Sequence, residues 1–219
     1  MDVIRSKDTD SLQTLAQRVI AEYVSKLCVR FAQLDSTQHF HALQVCKHLE
    51  FKLHTMVPRT VANDLTNEIF KHLDYCYKDI KDKIDEPSFQ EKLRSLVKSV
   101  LSPRVTILDL AWDWMFVTDF IMEELGSVEN LEVLKFKRSF FPDAESDFCR
   151  SVQSAISHLH VLKYLKVLCV TYCCNDDLLE IACNSCEHLK MLDVRHSRKV
   201  TDKSISYILM LRNFEELKL

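Results

Sequence analysis

Five short runs in the second half of the chain share one form and constrain the fold more than any other feature. They are VTILDL from Val105, LEVLKF from Leu131, LKVLCV from Leu165, LKMLDV from Leu189 and FEELKL from Phe214. Their starts lie 26, 34, 24 and 25 residues apart, so the form is a repeat. The first, fourth and sixth positions of every run are apolar, which places two residues per short strand on one inward face. Between the runs stand VTDFIMEEL, NDDLLEIAC and VTDKSISYIL, each with an Asp ahead of an amphipathic stretch, the pattern of a helix start. One strand and one return helix per unit, stacked so that neighbours share a core, is the architecture this period implies. The longer second unit contains KRSFFPDAESDF and is expected to carry a loop insertion.

The stretch CEHLKMLDVRHSRKVTDKSISYI resembles the cysteine-containing subclass of leucine-rich repeats, with Cys186, Leu189, Leu192, Val194, Thr201 and Asp202 in the order of that pattern. The resemblance covers about half of the chain and implies a leucine-rich solenoid. It implies no single function, because receptors, scaffolds and inhibitors share this solenoid. FEELKL is expected to form a strand without a capping unit, leaving an open edge. That implies a fragment, truncated at its C-terminus, or a short isoform that needs a partner.

The first hundred residues read differently. One glycine and four prolines in the whole chain disfavour sandwiches and barrels rich in tight turns and favour helices. Helical periodicity runs through Leu12, Leu15, Val19, Tyr23 and Leu27, then through Phe40, Leu43, Cys46, His48 and Leu49, then through Val61, Leu65, Ile69 and Leu73. Asp10 stands three residues before Gln13, as in a capping box, and Pro58 suits a first helical position. YKDIKDKIDEP reads as a linker or short connecting helix, after which Pro87 opens SFQEKLRSLVKSV as a helix. The expected organisation is a helical module over residues 1–100 and repeats over 101–219, a fold of the α+β class tending to an α/β solenoid.

Two short motifs in the helical module suggest partners. In SLQTLAQRVI, Leu12, Ala16 and Ile20 fall at i, i+4 and i+8, so they share a helix face that a partner's groove could accept. Ser11, Leu12, Ala16 and Ile20, with Leu15 beside them, resemble the elongin-binding box of ubiquitin-ligase substrate receptors, as found in a VHL-box. That resemblance implies a pocket for Leu12 and a small residue at Ala16 so that two backbones can approach. Cysteine is the commoner residue there. VPRTVANDL similarly resembles a cullin-2 box through Val57, Pro58, Val61 and Leu65. Thr60 stands where the form associated with cullin-5 has a second proline.

Both boxes in this order, ahead of leucine-rich repeats, resemble the zyg-eleven and zer-one family of cullin-2 substrate receptors. The resemblance spans nearly all of the chain. It implies a non-catalytic substrate-recognition subunit of a cullin-2 RING ubiquitin ligase, which binds elongin C (with elongin B), cullin-2 with its RING subunit, and a protein substrate. The armadillo-like repeats that bind degrons in that family have no counterpart here. VPRTVANDLTNEIFKHLD offers an alternative, since it also resembles an F-box, which would imply a leucine-rich receptor of a cullin-1 ligase. Its spacing is longer by about one helical turn, and it lacks the glutamate after the proline. A leucine-rich scaffold outside any ligase, with both motifs as ordinary core helices, is the third reading.

Charge and composition narrow the remaining classes. With 29 basic and 32 acidic residues the net charge is −3, which gives no field that favours nucleic acid or an anionic membrane. The basic and aromatic LKFKRSFFPD is a small footprint, and Phe140 or Phe141 is better suited to a protein partner. No stretch of about 18 apolar residues and no signal-peptide pattern occurs, so the cytoplasm or nucleus is expected. Nine cysteines in a reducing compartment are expected to be buried free thiols. Cys183, Cys186, Cys173, Cys174, His188 and His196 could be drawn together by zinc, but Cys186 is the interior position of a cysteine-type repeat, and no metal or cofactor is expected. His39 with His41, and His158 with His160, do not share a helix face. Neither a phosphate-binding glycine loop nor a nucleophile elbow is present, so an enzyme is not expected.

Overall fold

A computed structural model describes residues 11–110, 117–136 and 156–219. The chain begins with α1 (Leu12–Gln33), α2 (His39–Met56) and α3 (Arg59–Tyr75). A short α4 (Tyr77–Ile80) and a 3-10 turn (Lys81–Lys83) fill the charged connection, and α5 (Pro87–Val100) follows. Helix α1 packs on α3 and α5, and α2 packs on α5. The interior they share includes Val24, Phe31, Ile69, Phe70, Phe89 and Leu96.

The helix starts differ in detail from the sequence expectation. Ser11, not Asp10, caps α1: its backbone is extended and its Oγ accepts the Thr14 amide at 3.2 Å. Pro58 is the N-cap of α3 rather than its first helical residue. Pro87 does open α5, where its missing N–H leaves no bond unmade.

Five strands form one parallel sheet in chain order: β1 (Ile107–Asp109), β2 (Val133–Phe136), β3 (Val167–Val170), β4 (Met191–Asp193) and β5 (Glu216–Lys218). The register aligns Leu108, Leu134, Leu168, Leu192 and Leu217, the fourth residue of every run. The connecting stretches contain α6 (Thr118–Glu123), α7 (Asp176–Ser185) and α8 (Ile205–Ile208), with 3-10 turns at Leu125–Val128, Ile156–Val161 and Asp202–Ser204. The caps sit one residue before the expected Asp: the Asn175 side chain accepts from the Leu178 amide, and Thr201 accepts from the Lys203 amide. The long loop expected at KRSFFPDAESDF lies outside the described residues, as do Phe140 and Phe141.

Helix α3 lies along the outer edge of β1. Asn63 Oδ1 accepts the amides of Thr106 at 2.8 Å and Ile107 at 3.1 Å, and its Nδ2 donates to Thr106 Oγ1 at 3.1 Å. One turn on, Asn67 Oδ1 accepts the Asp109 amide at 3.0 Å and its Nδ2 donates to the Ile107 carbonyl at 3.3 Å. Two carboxamides at i and i+4 thus complete the hydrogen bonds that a first strand would otherwise leave open. Further links join the helices to the sheet region: Arg94 with Glu123 at 2.7 Å, and His54 Nε2 with the Leu101 carbonyl at 2.9 Å.

No helix among the described residues is long and apolar enough to cross a membrane.

Candidate partner-binding surface

Helix α1 carries two apolar faces because its sequence holds two stripes. The inward one, Ala21, Val24, Leu27, Cys28 and Phe31, is buried against the other helices. The outward one, Leu12, Leu15, Val19 and Tyr23, meets solvent, with Leu12 84% and Val19 66% exposed. Ala16 is exposed between them, while Ile20 is half-buried and rests against the core. A helix that leaves leucine and valine in water over its first three turns while its other side fills a core has the form of a docking element.

Ser11 stands at the head of this face. Its hydroxyl is 2.9 Å from Thr14 Oγ1 as well as accepting the Thr14 amide, so the cap orders the turn that presents Leu12. The far end of α1 is anchored from inside. Lys92, on α5 and 1% exposed, donates its ammonium to the carbonyls of Leu34 at 2.8 Å and Phe31 at 3.3 Å. A buried cation at a helix C-terminus answers both the carbonyls of the last turn and the negative end of the dipole.

The second predicted motif lies at the junction of α2 and α3. Val57 closes α2 and Pro58 caps α3. Pro58 and Thr60 are exposed, and Val57 and Val61 are half-buried against the core. Leu65 is only 3% exposed, so it is a core residue supporting the helix and has no surface to offer a partner. Ile69 and Phe70, which carry the F-box resemblance, are likewise enclosed. Arg104 donates to the Val57 carbonyl at 2.5 Å. Together with Asn63, this ties the motif to the start of the sheet.

The eight described cysteines are all buried. Seven have free thiols, whereas Cys173 is disulfide-bonded, against the sequence expectation. Burial pushes Cys46 up to about 12, Cys183 up to about 11 and Cys186 up to about 12, which leaves almost no thiolate at neutral pH. Among the described residues no three His, Cys, Asp or Glu groups converge as a metal ion requires. His188 stacks on Tyr164 and His196 on Tyr172, and His39 sits 3.2 Å from Glu91.

Sequence reasoning missed Lys92, Asn63 and Asn67. Each had a signal: a lysine among the apolar positions of an amphipathic helix, and two asparagines one turn apart in a helix interior, where asparagine is a poor helix former.

No family model and no characterised protein matches the chain.

Proposed function

We propose that the chain is a non-catalytic substrate-recognition subunit of a cullin-2 RING ubiquitin ligase, acting in the cytoplasm or nucleus. The exposed face of α1 receives elongin C (with elongin B), and the Val57–Pro58 junction contacts cullin-2. The observation that carries this reading is the 84% exposure of Leu12, at the head of an apolar stripe on a helix whose opposite side is buried at Gln17 and again from Ala21 onward. Had the motif been ordinary core, Leu12 would be enclosed. On this reading Ser11, Leu12, Leu15 and Ala16 form the elongin contact with Ile20 at its margin, and Val57, Pro58 and Val61 the cullin contact.

A parallel sheet in chain order, with the same leucine of each run in register, is what stacked leucine-rich units produce, and it supports the solenoid reading for residues 101–219. The helical module and the sheet meet through Asn63, Asn67 and Arg104, so a substrate held on the repeats would keep a defined orientation to the cullin.

The test is a pulldown with purified elongin B/C. Truncating such an anchor removes about 2 to 4 kcal/mol of binding, so Leu12→Ala should lose elongin C. Its thermal unfolding should stay at the wild-type temperature, because Leu12 is mostly in solvent. Wild-type retention of elongin C by Leu12→Ala rejects the proposal. Replacing Val57 and Pro58 together by alanine should release cullin-2 and leave elongin bound; loss of neither would favour a leucine-rich scaffold outside any ligase.

A further inference from the structure

Helix α2 has an outward side that neither the elongin nor the cullin contact uses. Its inward residues Ala42, Cys46 and Leu53 are buried as it packs on α5. On the opposite side Phe40, Gln44, Lys47 and Phe51 fall at i, i+4, i+7 and i+11, so they form one stripe along the helix. All four meet solvent, Phe40 at 69% and Phe51 at 61% exposure. Two phenylalanines in water on one stripe, about 16 Å apart along the axis, differ from apolar residues scattered singly over a surface. The helices adjoin β1, at the opposite edge of the sheet from β5.

Charge on this side has one sign. The single acid of α2, Glu50, is half-buried and lies toward Cys46. Lys47 stands between the phenylalanines and Lys52 follows Phe51; both are exposed, and among the described residues neither has an ion-pair partner. The position of Lys47 decides the occupant. A bilayer could take the phenylalanines only by drawing the ammonium between them toward hydrocarbon, whereas a membrane-surface helix keeps its lysines on the polar side. A second copy, packed antiparallel so that Phe40 meets Phe51, would bring the two Lys47 within about one helical turn of each other, a like-charge contact. A carboxylate on another protein neutralises the ammonium and lets the lysine stem add to the apolar contact.

We propose that the outward side of α2 docks an acidic amphipathic helix of a partner protein, with apolar side chains about three turns apart on Phe40 and Phe51 and a carboxylate between them on Lys47. The two helices lie side by side, and the charge between the apolar anchors fixes their register. Lys52 extends the same preference beyond Phe51. The contact is separate from those proposed for elongin and cullin and does not rest on them.

Fluorescence anisotropy of a labelled peptide titrated with the 219-residue chain tests this. The peptide, of about 21 residues and stapled on its outer side to hold it helical, carries leucines about three turns apart with glutamates between; a twin carries lysine for each glutamate. The acidic peptide should bind and the basic twin should not. Phe40→Ala and Phe51→Ala should each weaken binding about ten-fold. Lys47→Glu should exchange the preference, taking the basic twin and refusing the acidic peptide, which also shows that this variant is folded. All three side chains are exposed, so melting temperatures followed by circular dichroism should stay with the wild type. Vesicles of phosphatidylcholine with about 30% phosphatidylserine should not sediment the chain. No binding of the acidic peptide up to about 1 mM, a preference indifferent to Lys47→Glu, binding unchanged by both phenylalanine variants, or capture by the vesicles overturns the proposal.

Discussion

The double variant Asn63→Ala with Asn67→Ala tests how the helices are attached to the sheet. Asn63 accepts the amides of Thr106, just before β1, and Ile107, its first residue, while Asn67 accepts one amide and donates to one carbonyl. These are backbone groups that a first strand cannot satisfy internally. Each one left without a partner in a partly buried site costs about 1 kcal/mol. Alanine in a helix interior returns about 0.5 kcal/mol per site. Each single variant should therefore lose about 1.5 kcal/mol, and the pair about 3 kcal/mol, before any coupling between neighbouring sites. Urea unfolding measures the sum, and native-state hydrogen exchange at the Ile107 and Asp109 amides locates it. Asn63→Asp keeps an acceptor for both amides and gives up only the donor to Thr106, so it should lose less than half as much as Asn63→Ala. A double variant within about 0.5 kcal/mol of wild type, with those amides still protected, would show that water replaces the carboxamides and that the plugged edge is incidental.

Two further outcomes are expected. Lys92→Met keeps the stem but takes the lysine from the Leu34 carbonyl and leaves the Phe31 carbonyl with the Leu34 amide alone, and should lower unfolding stability by about 1 to 2 kcal/mol, measured in urea. Hydrogen bonds from Ser204, then Thr201, hold the Asp176 carboxyl below its ordinary value of 3.8, and a hydrogen bond from Arg195 does the same for Asp193. Because the folded values are depressed, the stabilisation is fully present above the ordinary carboxylate range and fades as pH falls through the lowered values. Thermal unfolding followed downward from pH 5 should show Asp176→Asn losing less stability than wild type.

The face of α1 shows how far patterning carries. Leu12, Leu15, Val19 and Tyr23 recur at helical spacing, and that spacing alone predicts a helix; it cannot say which side is wet. Ala21, Val24, Cys28 and Phe31 recur equally well, and only the packing of α3 and α5 decided that these go inward. Leu65 gives the converse case, since the residue that completes the second motif is turned into the core. Neither outcome follows from spacing, because a helix with two apolar stripes has two permissible orientations, and the neighbours choose between them.

The run of apolar first, fourth and sixth positions determined by itself that short strands would recur. Strand periodicity is local, and a period in the twenties leaves room for one strand and one return per unit. Helix starts near Ser11, Pro58 and Pro87 were similarly local, set by caps and by proline's missing amide. What only the tertiary structure decided were the contacts between residues tens of positions apart: Asn63 and Asn67 on β1, Lys92 under the end of α1, Arg104 on Val57. Each joins a polar group to a backbone atom whose need for a partner arises only after distant elements have packed and excluded water. Sequence spacing carries no record of that need.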